Sequence, residues 1–349
     1  MNIRRWATLS TISLTVAVLG ATMSYAPASG TGPDDRGGQH SNRRAYTFAV
    51  IGDIPYGDAQ VANFPKVVTQ INADRDVRLV SHLGDIKSGS ATCSDAYYDK
   101  IRSDFDHFED PLVYTIGDND WTDCHRVNNG AYNPLERLDA VRDTFFDQPR
   151  YSLGQNPARL ISQARRGYPE NVRFTRGDVS FGSVHIVGSN NGLAPWTGST
   201  TATPEQTAEV LGRTASTIQV IRDTFASAKA DRNKAVVLLT QADMFDPTVA
   251  SPTFADYYAF QPIVAAIAQE SAAYAGPVYL FNGDSHVYND DKPLAASSTW
   301  LDFYGLDTPV PNLRRVTIDG STNATNYLKV TIRPRADQPL TWTRIPFTS

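Results

Sequence analysis

The chain has 349 residues, with 32 Lys and Arg against 37 Asp and Glu, a formal net charge of −5, only 2 Cys and 6 His. A chain this long buries roughly 75% of its unfolded surface, so it needs neither metal nor disulfide merely to hold a core. With 41% apolar and 20% charged residues, it is not a collagen, a coiled coil, a multi-span membrane protein or a wholly disordered chain, and its mild acidity leaves no footprint for a nucleic-acid binder held by phosphate contacts.

Arg4 and Arg5 precede an uncharged, mostly apolar stretch from Trp6 to Gly20, and Ala26 and Ala28 follow in an A-x-A arrangement. This pattern predicts a secretory signal peptide over residues 1–28. The strongly apolar part is shorter than the ~20 residues a spanning helix needs, so the expected mature protein is exported and has no membrane span. Removal of Arg4 and Arg5, with no acid lost, takes the net charge from −5 to −7. Residues 29–44 (SGTGPDDRGGQHSNRR) lack apolar side chains and are expected to be a disordered leader. One domain is expected over 45–349.

Short runs rich in Val, Ile, Phe and Tyr follow: Tyr46–Gly52, Val77–Leu83, Leu112–Gly117, Val184–Gly188, Ala235–Thr240 and Val278–Asn282. Their length and composition predict buried strands. Thr203-Pro204-Glu205-Gln206 supplies an N-cap, a proline at N1 and a glutamine at N3, so a helix is expected from there. Leu211, Ile218, Ile221 and Phe225 then share one face, read as core. Gln261–Tyr274 is a second helix candidate. Leu313–Ile318 and Tyr327–Ile332 read as two further strands around a turn at Asp319-Gly320. Strands alternating with helices indicate an α/β protein. The long stretch from Trp121 to Gly182 either caps a pocket or packs beside the sheet. Its Arg165, Arg166, Arg173 and Arg176 read first as a solvated basic face.

Four strands run into an acidic, glycine-containing turn: Gly52-Asp53, Gly84-Asp85, Gly117-Asp118-Asn119-Asp120, and Gly283-Asp284-Ser285-His286. Ligands bind outside the carboxyl ends of strands in open α/β sheets. A Gly-Asp pair alone is an ordinary turn. Four in this setting predict carboxylates gathered in one crevice, which would repel one another without a cation.

This ordered set resembles the calcineurin-like metallophosphoesterases, which include the purple acid phosphatases, over Phe48 to about Tyr288. Their motifs run D-x-H or D-x-G, G-D, G-N-H-D or G-N-H-E, a strand ending in His, and G-H-x-H. The resemblance implies a four-layer α/β fold, a β-sandwich flanked by helices, with two metals at the strand ends. Asp53 and Asp85 stand at the first and bridging acids. Asp118 and Asn119 occupy the third motif's Asn and His positions, and Asp120 matches its acid. Gln241 falls where a strand-ending His is expected, with Asp243 as a weaker substitute. Asp284 replaces the fifth motif's first His, and His286 keeps the second. Pro55 stands at the D-x-H position, beside Tyr56, a candidate phenolate ligand.

The implied metal ligands are therefore Asp53, Asp85, Asp118, Gln241, Asp284 and His286. Their oxygen-rich set favours two divalent ions of Mn, Mg, Ca or Fe over Zn and excludes a His-rich binuclear zinc centre. The implied reaction is hydrolysis of a phosphate ester by metal-held hydroxide. Asn119 stands at the position of the catalytic His but cannot be a general acid, and His125 is the candidate replacement. Lys87 and Arg126 are candidate phosphate-binding residues. The expected partner is a phosphorylated small molecule. The alternative is a descendant of the same fold that binds a metal or phospholigand without turnover. In an exported protein, Cys93 and Cys124 predict one disulfide beside this site.

Overall fold

The computed structural model describes residues 45–348, so the expected signal peptide and leader lie outside the described residues. In chain order the elements are β1 (Tyr46–Ile51), α1 (Gly57–Ala73), β2 (Val77–His82), α2 (Asp95–Phe105), β3 (Leu112–Tyr114), α3 (Pro134–Phe145), β4 (Ile161–Gln163), β5 (Tyr168–Arg176), β6 (Val179–Ser183) and a single turn, α4 (Gly188–Asn191). Then come α5 (Pro204–Ala230), β7 (Ala235–Leu239), α6 (Gln261–Ala272), β8 (Val278–Asn282), β9 (Asn289–Asp291), α7 (Thr299–Tyr304), β10 (Leu313–Thr317), β11 (Asn326–Ile332) and β12 (Leu340–Pro346).

The strands make two sheets, ordered β12-β11-β1-β2-β3 and β4-β5-β6-β7-β8-β10-β9. In the first, β1, β2 and β3 are parallel; in the second, β6, β7, β8 and β10 are parallel. Of these, β1, β3, β7 and β8 read as mostly apolar runs because both faces of each sheet are covered. Successive side chains point to opposite faces. Phe48 and Val50 of β1 therefore join Val237 and Leu239 of β7, Phe281 of β8 and Val330 of β11 in a core between the sheets. Ala49 and Ile51 point the other way, against Phe64, Val68, Ile101, Phe105 and Val141 of α1–α3. On the far side, Val236 and Leu238 pack against Ile221, Phe225, Ile263 and Ile267 of α5 and α6. Three cores thus separate four layers: helices, sheet, sheet, helices. This is the α/β sandwich flanked by helices that the sequence led us to expect. Among the described residues no helix is long and apolar enough to cross a membrane.

Several expectations need correction. The run Val184–Gly188 is not a strand. The strand is β6, five residues earlier, and the apolar run is the buried exit from it. The two strands expected around Asp319-Gly320 do form, as β10 and β11, but they do not pair with each other. β10 pairs with β8 and β9, whereas β11 pairs with β1, so this turn carries the chain from one sheet to the other. On α5 the capping box at Thr203 and Gln206 forms as expected, but Leu211 is 67% exposed. The first half of that helix instead buries Gln206, Val210, Arg213, Thr214 and Thr217. Hydrophobic periodicity cannot show a buried face made of polar residues. The stretch from Trp121 to Gly182 packs beside the sheets: α3 joins the outer core of the first sheet, and β4 and β5 extend the second.

Candidate metal centre

The acidic turns of both sheets meet at the carboxyl ends of the parallel strands. Asp53 follows β1, and both its carboxylate oxygens accept the backbone N–H of Asp284, which follows β8 in the other sheet, at 3.1 Å. Asp85 follows β2 and accepts the backbone N–H of Asn119 at 3.0 Å. Asp53, Asp85 and His286 each offer a ligand atom, all within 4.8 Å of one another. His286 Nε2 lies 3.4 Å from Asp53 Oδ1 and 3.5 Å from the Tyr56 hydroxyl. That hydroxyl donates to Asp85 Oδ2 at 2.7 Å.

Glycine makes these approaches possible, and mostly across turns rather than within them. A Cβ on Gly283 would collide with the Asp53 carboxylate, and one on Gly117 with that of Asp85. The acids themselves are strained. Asp53, Asp85, Asp284 and His286 all have positive φ, from 51° to 71°, a region that non-glycine residues enter at a cost of roughly 1 kcal/mol or more each. Four such residues at one crevice mark a place where side-chain direction outweighs backbone comfort.

The electrostatics point the same way. Burial raises the Asp53 carboxyl, partly offset by His286 and the Asp284 N–H. Burial and then the charges of Asp118, Asp120 and Asp53 push Asp85 well above the usual carboxylate range. Asp284 is raised by burial, Asp118 and Asp53. Tyr56 is raised by burial and Asp85, so its phenol keeps its proton and donates. Among the described residues the basic groups these acids feel are the His286 imidazole, beside Asp53, and the buried Lys87 ammonium, behind Asp85. Two carboxylates and an imidazole on one point, with surplus negative charge around them, fit a divalent cation.

The remaining acids form a second half of the crevice. A Cβ on Gly188 would lie 2.7 Å from Asp118 Oδ2 and 2.9 Å from Asp284 Oδ1, so these two carboxylates face a common point. Gln241 does not offer its oxygen there. Its Oε1 accepts the Gly188 N–H at 2.8 Å, and its Nε2 donates to Asp118 Oδ1 at 3.0 Å. Gln241 is therefore a hydrogen-bonded bridge, and its expected role as a metal ligand needs correction. Asp243 is committed elsewhere, to the buried Arg315 guanidinium, whose Nη1 is 2.5 Å from Asp243 Oδ1. Asp120 accepts the N–H groups of Asp85, Ile86 and Gly117 and the Tyr114 hydroxyl. It ties the second and third turns together from behind.

Two further expectations are corrected by burial and partners. Lys87 is 0% exposed. Its ammonium donates to the Asn119 carbonyl and Asn129 Oδ1 at 2.8 and 3.0 Å, and burial lowers its pKa to about 8. It anchors the third turn and is closed to substrate. His125 Nδ1 accepts the Thr197 N–H at 2.9 Å. It fastens the 194–198 loop rather than hydrogen-bonding the carboxylates. Asn119 sits at the centre, its Nδ2 donating to Asp85 Oδ2 at 2.6 Å and to the Tyr56 hydroxyl at 3.0 Å. Arg126 is 41% exposed at its side chain and paired with Asp123. Its Nη1 and Asn119 Oδ1 both border Gly89, which leaves it at the rim. Cys93 and Cys124 form the expected disulfide, with a Cα–Cα distance of 5.9 Å, behind the Asn119 turn.

The sequence reading missed Ser189. Its hydroxyl lies 3.0 Å from Asp118 Oδ2 and 3.1 Å from Asp123 Oδ1 and shares its one proton between them, from a run of three left-handed residues, Ser189, Asn190 and Asn191. The signal was present in Ser-Asn-Asn-Gly after an apolar run, since Asn tolerates that conformation.

No family model and no curated protein match the chain. Solved structures with a similar backbone path include purple acid phosphatase PPD1 from yellow lupin seeds, at 13% identity and TM-score 0.45 over 87% of this chain and 54% of that one. The chain thus spans about half the length of that phosphatase. The phosphopantetheinyl hydrolase of Mycobacterium tuberculosis matches at 11% identity and TM-score 0.42, over 85% and 95% of the two chains. GAP50, the anchor in the inner membrane complex of Plasmodium, matches at 8% identity and TM-score 0.38, over 87% and 90%.

Proposed function

We propose that this protein is an exported, metal-dependent phosphoesterase whose cation is held by Asp53, Asp85 and His286. The convergence of these three side chains within 4.8 Å carries the reading. A divalent cation held there supplies Lewis-acid charge to a phosphoryl group and acidifies water. The chain's own groups do the rest. Tyr56 and Asn119 orient Asp85 through its Oδ2. His286 faces Asp53, which raises its affinity for a proton or a cation. The rim guanidinium of Arg126 suits a bidentate contact with phosphoryl oxygens. Asp118 and Asp284 are the donors for a second ion. Mn, Mg, Ca and Fe suit this oxygen-rich set better than Zn. Export is supported by the Arg4–Arg5 and Trp6–Gly20 pattern and by a disulfide of the kind oxidising compartments preserve.

The test is turnover of chromogenic phosphate mono- and diesters by the chelated protein, resupplied with each of these metals. Activity with at least one metal, lost in Asp85→Asn and in His286→Ala, is expected. A folded protein inactive with every metal sinks the proposal. One observation favours a second reading, a binder without turnover: His125, the replacement acid expected from the sequence, is tied to Thr197. Metal-dependent binding of a phosphoester without hydrolysis would select that reading.

A further inference from the structure

An open groove of about 550 Å³ leads away from the crevice at Asp284 and Gly188. Its lining includes a wall segment carrying Asp256, Tyr257 and Tyr258, together with Asp243 and Asp246. Hydrogen bonds join that wall to the crevice. Asn190, next to Ser189, accepts the Ala259 N–H at 3.1 Å and donates to the Ala255 carbonyl at 3.3 Å. The groove is thus positioned by the same left-handed turn that places Ser189 on Asp118.

Its lining has an unusual charge balance. It contains four aspartates, Asp243, Asp246, Asp256 and Asp284, and no lysine, arginine or histidine. The Arg315 guanidinium answers Asp243, and Asp284 belongs to the second half of the crevice, which leaves Asp246 and Asp256 as the groove's own charges. Asp246 and Asp256 hydrogen-bond only to neutral threonines, Thr248 and Thr253, and among the described residues no basic side chain bridges either. Apolar surface accompanies the acids: Val249 is 39% and Tyr258 44% exposed. Carboxylates beside tyrosine rings attract an organic cation and repel an anion.

We propose that this groove receives the alcohol half of the substrate and selects a phosphoester whose alcohol carries a substituted ammonium group, over neutral or further phosphorylated alcohols. The inference rests on the hydrolase reading and adds the substrate class. The Tyr257 phenol supports it: burial first, then Asp246, Asp243, Asp284 and Asp256, raise its pKa. The negative potential therefore reaches the ring that lines the groove. A nucleoside polyphosphate would place extra negative charge against the same carboxylates.

The probes are choline phosphate and its neutral carbon isostere, neohexyl phosphate, with para-nitrophenyl phosphate as a general substrate. The expected result is a kcat/KM preference of roughly tenfold for choline phosphate over the isostere, the scale of one desolvated cation–ring or cation–carboxylate contact. Added salt should shrink this preference, and the double substitution Asp246→Asn/Asp256→Asn should take it towards unity. Equal or better turnover of neohexyl phosphate, by protein active on para-nitrophenyl phosphate, overturns the groove assignment and leaves the hydrolase reading intact. If no ester is hydrolysed, the hydrolase reading falls and the groove is judged by calorimetric binding of choline to the full chain. Binding that weakens in the double variant supports the cation groove, and no binding overturns it.

Discussion

Around Asp53 and Asp85 the side-chain nitrogens are the His286 imidazole and the Asn119 amide, and around Asp118 there is the Gln241 amide without an imidazole. An imidazole can give a lone pair to a cation. The Gln241 amide has given its oxygen to the Gly188 N–H and points its N–H groups at Asp118. One half of the crevice is therefore organised to take a cation. Each half has a neutral amide on one carboxylate, Asn119 on Asp85 and Gln241 on Asp118, and the imidazole is what the first half adds. Oxygen-donor substitution alone does not make a ligand, because the donor must also be free of stronger local partners.

The largest effect should come from the first half. Asp85→Asn or His286→Ala should lower turnover by at least ~10²-fold, at or beyond the scale of losing a supporting contact to a metal ligand. Each should also abolish the rise in melting temperature that the activating metal produces in the native protein. Gln241→Ala should keep most of that rise. Equal loss in both sets of variants, measured by thermal scans with and without chelator, would show that the halves act as one binuclear unit.

Next in size is the disulfide, which closes a loop across 31 positions. Its removal in Cys93→Ser/Cys124→Ser should cost about 3–4 kcal/mol in the chain-entropy model. Denaturant unfolding measures the loss. Protease cleavage should appear first in the Asn119–Arg126 loop of the second half, and first cleavage near Asp53 would count against this account. Gln241→Leu, which strands the Gly188 N–H, should cost about 1–3 kcal/mol, read as a shift in the urea midpoint at constant slope.

The smallest effect at neutral pH lies behind the halves, where each has one buried histidine. His82 Nε2 sits 2.8 Å from the Ile54 carbonyl beside Asp53. His185 precedes the Gly188 turn and pairs through Nδ1 with Glu170 at 2.9 Å. Burial lowers both to about 4 from the usual 6.5. Above pH ~6.5 neither the folded nor the unfolded state protonates them. Between about 6.5 and 4 the unfolded chain takes up protons that the folded one refuses, so stability falls as pH falls. The slope is on the order of 1 kcal/mol per pH unit for each histidine. His82→Gln should flatten the curve by one proton relative to the native protein under the same metal conditions. An unchanged slope would show that His82 is not held neutral.

Much of this was written in local sequence. Apolar runs ending in Gly-Asp announce strands with acids at their carboxyl ends. Thr203 with Gln206 announces a helix start, and two cysteines in a chain with an export pattern announce a bridge. Each signal rests on neighbours within a few residues, where propensity and hydrogen-bonding rules operate directly. The groupings were not legible. That Gly283 clears space for Asp53 and Gly117 for Asp85 depends on contacts spanning up to 230 positions. That Lys87 points backwards, His125 turns to Thr197 and Gln241 spends its oxygen on Gly188 depends on which partner lies nearest once the sheets are stacked. Residue type and order settled which elements form and which chemistries are available. Packing of the two sheets settled which donors are free, because a buried polar group takes the partner that satisfies it, whatever its place in a motif.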